Sequence, residues 1–335
     1  MSTKIKYAYI CLGLLIVAFS ATLLATGQIA WAEVWRGALA RISGETGAWN
    51  ALLDERIPRL IVLLCTGASL AASGAIMQSL LQNPLAAPTI LGLTAGSSLM
   101  VVLVFITGWH VVYSWSVPFA AILGSLLVLG ILSLMSRHQE RRPFSELILL
   151  GIAIATLLLA IQQTVLYAFR DNWQLIQVVT EWEAGSSFDR SWEHVHMQLP
   201  LTLIGLAVCF FYRNEMNILS LGDEEARTLG VDVRKVRWRL ILSVSLLSGG
   251  ATAALGSVPF FGLILPHLLR RLFSSNHRVL IPLCIFGGAA TLVAFDLLLR
   301  QTQLHFLTIG NLSAIFGGIF FLFLLRRKTL ISSFG

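Results

Sequence analysis

Long apolar runs separated by short polar stretches make up most of this sequence. About ten of them reach the ~20 residues that an α-helix needs to cross a bilayer. Because the runs are continuous and show no strict alternation, they predict helices rather than the strands of a membrane barrel. The predicted spans are residues 7–27, 57–82, 89–108, 114–136, 145–168, 194–212, 236–257, 260–273, 279–300 and 308–326.

Two of these runs differ from the others. The eighth is too short to cross fully and contains Pro266, so we expect it to be partly re-entrant or packed inside the bundle. The first follows Lys4 and Lys6 and imitates a signal peptide. Its apolar stretch, Tyr7 to Thr26, exceeds the roughly 7–15 residues of a signal core, which predicts an uncleaved first spanning helix.

Composition supports a membrane protein. The 335-residue chain is 56% hydrophobic and only 12% charged, whereas a soluble domain carries about 25% charged residues. A bilayer requires the backbone to satisfy its own hydrogen bonds. The predicted fold class is therefore all-α, a polytopic integral membrane protein with one transmembrane domain over residues 1–335. Its only substantial cytoplasmic segment is predicted at 213–235.

The distribution of charge sets the orientation. The formal net charge is +7. Of the 24 Lys and Arg residues, 17 fall in segments predicted to lie inside and 7 in segments predicted to lie outside, which also hold 9 acids. This is the positive-inside pattern, with both termini cytoplasmic, and it argues against a nucleic-acid surface. The inside clusters include Arg137, Arg141 and Arg142, and the outside acids include Glu33 and Glu45.

Residues for catalysis or metal binding are not apparent. None of the four lysines follows a glycine, so the chain lacks the phosphate-binding loop that ATP hydrolysis needs. His194 and His196 alternate and would not converge on one face of a helix, and His305 lies in another outer link. We predict no catalytic residue, no metal site and no cofactor. The cysteines, all within apolar runs, read as buried thiols: Cys11, Cys65, Cys209 and Cys284.

The cytoplasmic segment contains a candidate short helix. Asp223, Glu224 and Glu225 suit the electropositive first turn of a helix, and Gly230 is a natural C-cap. One interpretation is a solvated loop helix; the other is a coupling element that fits a cytoplasmic motor. The residues of the second interpretation are Asp223, Glu224, Glu225, Ala226, Arg227, Leu229 and Gly230.

Several motifs together resemble one family. Arg56-Ile57-Pro58-Arg59, Gly74–Gln78, Asn83–Ala86 and the block Gly256–His267 occur in the order found in the permeases of ferric-siderophore and cobalamin ABC importers. Further matches are Leu91-Gly92, Gly96-Ser97, Leu221–Val231, which resembles the family's coupling helix, and His277-Arg278. The resemblance covers roughly residues 50 to 327. Departures from the family pattern are Asn276, the run Leu304–Gly310, which lacks two prolines and a glutamate, and Ile319.

The resemblance implies a type II importer in a bacterial inner membrane. Its partners would be a second permease, identical or paralogous, two cytoplasmic ATPases and an external substrate-binding protein. The expected cargo is a ferric siderophore, with cobalamin and haem as alternatives. The pathway would run between the two permeases along the fifth and tenth helices. Candidate pathway residues are Gln162, Gln163, Thr164, Asn311 and Ser313.

Three arginines are candidate docking residues for the binding protein. Arg56 and Arg59 begin the second helix and Arg300 ends the ninth, all at the predicted outer ends. They would meet acids on the two lobes of a binding protein; the alternative is snorkelling to lipid phosphate. Arg59 could instead brace the start of its helix.

A secondary transporter driven by an ion gradient is the rival function. Its candidate residue is Asp296, an acid inside an apolar run. Arg300 lies four residues later on the same helical face, so an internal ion pair is the competing interpretation of this acid.

Overall fold

The computed structural model describes residues 3–25, 35–36, 39, 43, 50–136, 144–304 and 306–332. Within these ranges the chain is helical and contains no strand. Each predicted span corresponds to one helix: α1 Thr3–Ala25, α2 Ile57–Leu80, α3 Leu93–Thr107, α4 Ser116–Ser136, α5 Phe144–Ala168, α6 Trp192–Phe211, α7 Val233–Leu255, α8 Phe261–Leu272, α9 His277–Thr302 and α10 Ile309–Ser332. The outer acids Glu33 and Glu45, the basic cluster Arg137, Arg141 and Arg142, and His305 lie outside the described residues.

Short helices connect the long ones. A π-helical turn, Ala51–Arg56, leads directly into α2. The other connectors are Trp109–Val112, Trp173–Glu183, Arg213–Leu219 and Asp223–Thr228.

Length and composition identify the membrane-crossing helices. Among the described residues, five helices are long and apolar enough to cross a bilayer: Ala51–Leu80, Ile148–Ala168, Trp192–Phe211, Val233–Leu255 and His277–Thr302. Shorter apolar helices cover Tyr9–Thr22, Leu93–Thr107, Ser116–Leu132 and Ile309–Phe323. Helix α8 has only 12 residues and contains Pro266, as the sequence predicted. The polytopic all-helical class is confirmed, while the ten-span topology stays a prediction.

Helix α2 lies at the centre of the bundle and packs against α6, α7, α8 and α9. Small residues allow the close approach that holds membrane helices together. A Cβ atom on Gly67 would lie 2.2 Å from the Gly288 carbonyl oxygen of α9. One on Gly74 would lie 1.7 Å from the Gly262 carbonyl oxygen of α8. Helix α2 is therefore a central helix that is packed on nearly all sides.

Candidate functional site

The outer arginines occupy different environments. Arg59 is only 3% exposed, and its Nη2 lies 2.5 Å from Oδ1 of Asp296, which is fully buried in α9. In the protomer Arg59 therefore braces the start of α2, and its role in docking stays a prediction. The physical reason is that a buried carboxylate faces it, and separating such a pair would leave an uncompensated buried charge.

Arg300 is better placed for an external contact. Its side chain is 19% exposed, and its Nε lies 3.3 Å from Asp296 Oδ2, the predicted pairing four residues apart. Nε and Nη2 make no hydrogen bond to a described residue. Arg56 is half-buried at the end of the π-helical turn. Docking by Arg56 and Arg300 stays a prediction.

The segment Trp182–Ser187, which we call the crossover segment, follows the Trp173–Glu183 helix and meets α5 and α10. Gln162 of α5 is buried and donates a hydrogen bond to Glu183 Oε1, which also accepts one from Ser98 Oγ at 3.1 Å. Thr308 Oγ1 donates to the Ala184 carbonyl oxygen, and the Gly310 amide donates to the Gly185 carbonyl oxygen at 3.3 Å. The predictions from sequence missed this segment because Glu183 was counted only as an outer loop acid.

The five pathway candidates divide into two groups. Gln163, Thr164 and Asn311 are exposed on this protomer, as a surface facing a second copy requires. Gln162 and Ser313 are buried, and Ser313 Oγ donates to the Pro259 carbonyl oxygen at 2.6 Å. These two side chains bond within the protomer, and the pathway role of all five residues stays a prediction.

The predicted cytoplasmic helix is present as Asp223–Thr228, with its three acids in the first turn. Gly230 follows it at φ +81°, the left-handed conformation expected at the end of a helix. Glu224, Glu225, Arg227 and Leu229 are exposed. Two of the predicted contact residues point toward the protein instead. Ala226 is buried, and Asp223 is paired with an α7 side chain.

That pairing, 2.7 Å between Asp223 Oδ1 and Arg237 Nη2, joins the short helix to the start of α7. The preceding helix, Arg213–Leu219, is fixed to the end of α2, because Ser79 Oγ donates to the Met216 carbonyl oxygen at 2.9 Å. Asn217 Oδ1 accepts the His277 amide of α9 at 2.8 Å. The short helix is thus held in place by α7 and by the preceding helix, and its exposed face projects from this fixed segment.

Two departures from the family pattern have local explanations. Asn276 caps α9, since its Oδ1 accepts the Arg278 amide at 2.9 Å, and it also accepts Asn217 Nδ2 at 3.0 Å. The second departure is the run Leu304–Gly310. In it Thr308 precedes α10, and its Oγ1 accepts the Asn311 amide at 3.2 Å. Nothing in the structure explains Ile319, which is exposed on α10.

The bundle therefore carries charged surfaces at opposite ends of α2, whose 24 residues span about 36 Å at 1.5 Å per residue. This arrangement defines a polytopic helical membrane protein with a charged surface at each end of its central helix. The FecCD transport family model matches residues 13–327. The chain belongs to this family, the permease subunits of type II ABC importers.

Individual relatives cover most of the chain. The hemin transport system permease protein HmuU of Yersinia pestis is 31% identical and covers 97% of this chain and 96% of its own. The cobalamin import system permease protein BtuC of Halobacterium salinarum is 35% identical over 82% of this chain and 72% of its own. The Fe(3+) dicitrate transport system permease protein FecD of Escherichia coli is 33% identical over 88% and 90%. A solved metal-chelate type ABC transporter in an inward-facing conformation has a TM-score of 0.79, with 27% identity over 96% of this chain and 99% of its own.

Proposed function

We propose that the chain is the membrane permease through which a ferric siderophore enters a bacterial cell across the inner membrane. It works with a second permease copy or paralogue, two cytoplasmic ATPases and an external binding protein. The observation that carries this proposal is the division of charge: an exposed acidic helix, Asp223–Thr228, at one end of the packed core and Arg56 and Arg300 at the other. Both termini face the cytoplasm in this arrangement.

Each end suits a different partner. The Asp223–Thr228 helix projects Glu224, Glu225 and Arg227 from an anchored base, as a contact with a motor requires. At the other end, the Arg300 side chain is 19% exposed, and a partner carboxylate could pair with the exposed part of its guanidinium.

The pathway is proposed to lie against a second permease. Helix α5 exposes Leu149, Leu157 and Tyr167, and α10 exposes Phe316 and Leu322. These faces can be covered by lipid or by another copy, and the polar Gln163, Thr164 and Asn311 favour a water-containing passage.

An ion-coupled carrier is disfavoured. Its candidate, Asp296, already holds Arg59 at 2.5 Å and faces Arg300 at 3.3 Å, so its charge is compensated inside the protomer. A carrier of that class would also work without an ATPase.

The class of cargo is inferred from the relatives, whose names include cobalamin, hemin and ferric citrate systems. The test is ATP-dependent uptake by proteoliposomes that contain the permease, its ATPase and its binding protein. Ferric siderophores, ferric citrate, haem and cobalamin are compared, each with ATP and with a non-hydrolysable analogue. ATP-dependent uptake of a ferric siderophore is the expected result. Exclusive uptake of cobalamin or haem would correct the cargo, and uptake driven by a proton gradient without ATP would contradict the function.

A further inference from the structure

We propose that the crossover segment, Trp182–Ser187, couples the docking surface to helices α5 and α10, with Ser187 as the positioning residue that ties it to Asp296. This inference rests on the proposed function and concerns how docking reaches the pathway.

The first observation is how many helices this segment joins. Within six residues it makes hydrogen bonds to α3, α5, α7, α9 and α10, and to Arg59 at the start of α2. The bonding partners outside the segment are Ser98, Gln162, Ala253, Asp296, Thr308, Gly310 and Arg59. A shift of the segment would therefore displace both helices that are proposed to line the pathway.

The second observation is that the segment is tightly packed. Gly185 has φ +72°, and a Cβ on it would lie 2.4 Å from the Ser257 carbonyl oxygen. A Cβ on Gly256 would lie 1.8 Å from the Trp182 carbonyl oxygen. Because its backbone touches its neighbours directly, the segment cannot absorb a displacement at one end by local compression.

The third observation is the way one buried carboxylate is shared. Asp296 Oδ1 accepts Ser187 Oγ at 2.5 Å and Arg59 Nη2 at 2.5 Å. Arg59 Nη2 also donates to Ser187 Oγ at 2.7 Å. The other oxygen, Oδ2, faces Arg300 Nε at 3.3 Å. Asp296 thus links a partly exposed arginine on one side to the crossover segment on the other.

This sharing supplies a physical route for coupling. A carboxylate of the binding protein that pairs with Arg300 competes with Asp296 for the same guanidinium. Asp296 is then attracted less by Arg300 and interacts more strongly with Arg59 and Ser187. A movement of Ser187 displaces the crossover segment, which holds Gln162 and Thr308. Coupling of this kind needs differential contacts at both sites, and Asp296 provides them.

Adjacent serines make a matched test possible. Ser187→Ala removes the hydroxyl that reaches Asp296 and leaves the Arg59–Asp296 ion pair in place. Ser186→Ala is the control, because Ser186 is equally buried and its Oγ accepts only the Phe188 amide at 3.2 Å. Ser187→Thr keeps the hydroxyl and should rescue, while Ser187→Cys keeps the size with a weaker donor and serves if Ser187→Ala does not fold.

The complete complex in nanodiscs is assayed for binding-protein affinity, and the same complex in proteoliposomes for uptake at saturating binding protein. Ser187→Ala should keep the affinity of the parent and lose uptake by about tenfold, within the usual range of coupling between sites. Ser186→Ala should match the parent in both assays. Parent-like uptake by Ser187→Ala, or equal loss of affinity and uptake, would overturn this inference alone. Failure of the parent itself to bind the binding protein would instead contradict the proposed function.

Discussion

Helices α2 and α5 are similarly apolar, yet their surroundings are opposite. In the most apolar stretch of α2 with its leading π-helical turn, 89% of residues are buried, against 11% in α5. The difference lies in side-chain size rather than in hydropathy. Helix α2 presents glycine, alanine and serine where neighbours approach, whereas α5 carries large aliphatic side chains on an open face. Small residues therefore mark the rigid centre, and large exposed ones mark the surface left for a partner or lipid.

The largest loss of stability is expected when the charge that fixes the start of α2 is removed. Asp296→Ala should destabilise the protomer by about 3–5 kcal/mol, because it leaves Arg59 buried without its main partner. Thermal unfolding in nanodiscs measures the loss. The double variant Arg59→Met/Asp296→Leu is the control and should recover most of the stability. A single-variant cost of about 0–1 kcal/mol, as for exposed pairs, would show that the pair is solvated.

Matched leucines compare the two helices directly. Leu63 on α2 is fully buried, and Leu63→Ala should cost about 3 kcal/mol through lost contacts and a cavity. Leu157 on α5 is 60% exposed, and Leu157→Ala should change protomer unfolding by less than about 0.5 kcal/mol. Native mass spectrometry of the same samples should show weaker permease dimers only for Leu157→Ala. Equal destabilisation by both substitutions would mean that α5 packs inside its own protomer.

Replacing a glycine by alanine adds one methyl group and tests how closely two helices approach each other. Gly74→Ala places a Cβ 1.7 Å from a carbonyl oxygen and should cost about 2 kcal/mol, because α2 and α8 must separate. Gly130 of α4 has open space around it among the described residues, so Gly130→Ala should be neutral or slightly stabilising. Chemical denaturation in detergent compares the two. Equal stability would show that the contact between α2 and α8 is looser than the structure has it.

Charge reversal on the Asp223–Thr228 helix should have the smallest effect on folding. Glu225 is exposed, so Glu225→Arg should shift the free energy of unfolding by less than about 0.5 kcal/mol. It should nevertheless abolish transport-linked ATP hydrolysis, which a phosphate-release assay on the complex measures. Asp171→Arg, the same charge change on an exposed acid of the opposite face, is the control. Normal coupled hydrolysis in Glu225→Arg would exclude this helix as the motor contact.

Local signals predicted the fold well. The apolar runs located helices α1 to α10, and three consecutive acids followed by Gly230 located the Asp223–Thr228 helix. What escaped prediction depends on contacts far apart in sequence. Arg59 and Asp296 are separated by 237 positions, so neither residue's neighbours indicate that the arginine is buried.

The same reason explains why the partners of Gln162 and Ser313 could not be predicted. Gln162 reads as a polar residue that must avoid lipid, but sequence alone cannot tell a cavity from Glu183 as the group it meets. Ser313 likewise meets a carbonyl oxygen of the turn before α8. Helical periodicity identifies which positions share a face, whereas the partner of that face is set by tertiary packing.

We propose that the cationic end of this bundle receives an acidic binding protein. The most direct measurement is the affinity of purified binding protein for the permease complex in nanodiscs across a salt series. Arg56→Glu/Arg300→Glu is compared with the parent, since losing one member of a desolvated pair costs about 2–5 kcal/mol. The double variant should lose binding while still assembling with the ATPase. Parent-like affinity with the same salt dependence would show that these arginines contact lipid, and would contradict the docking model.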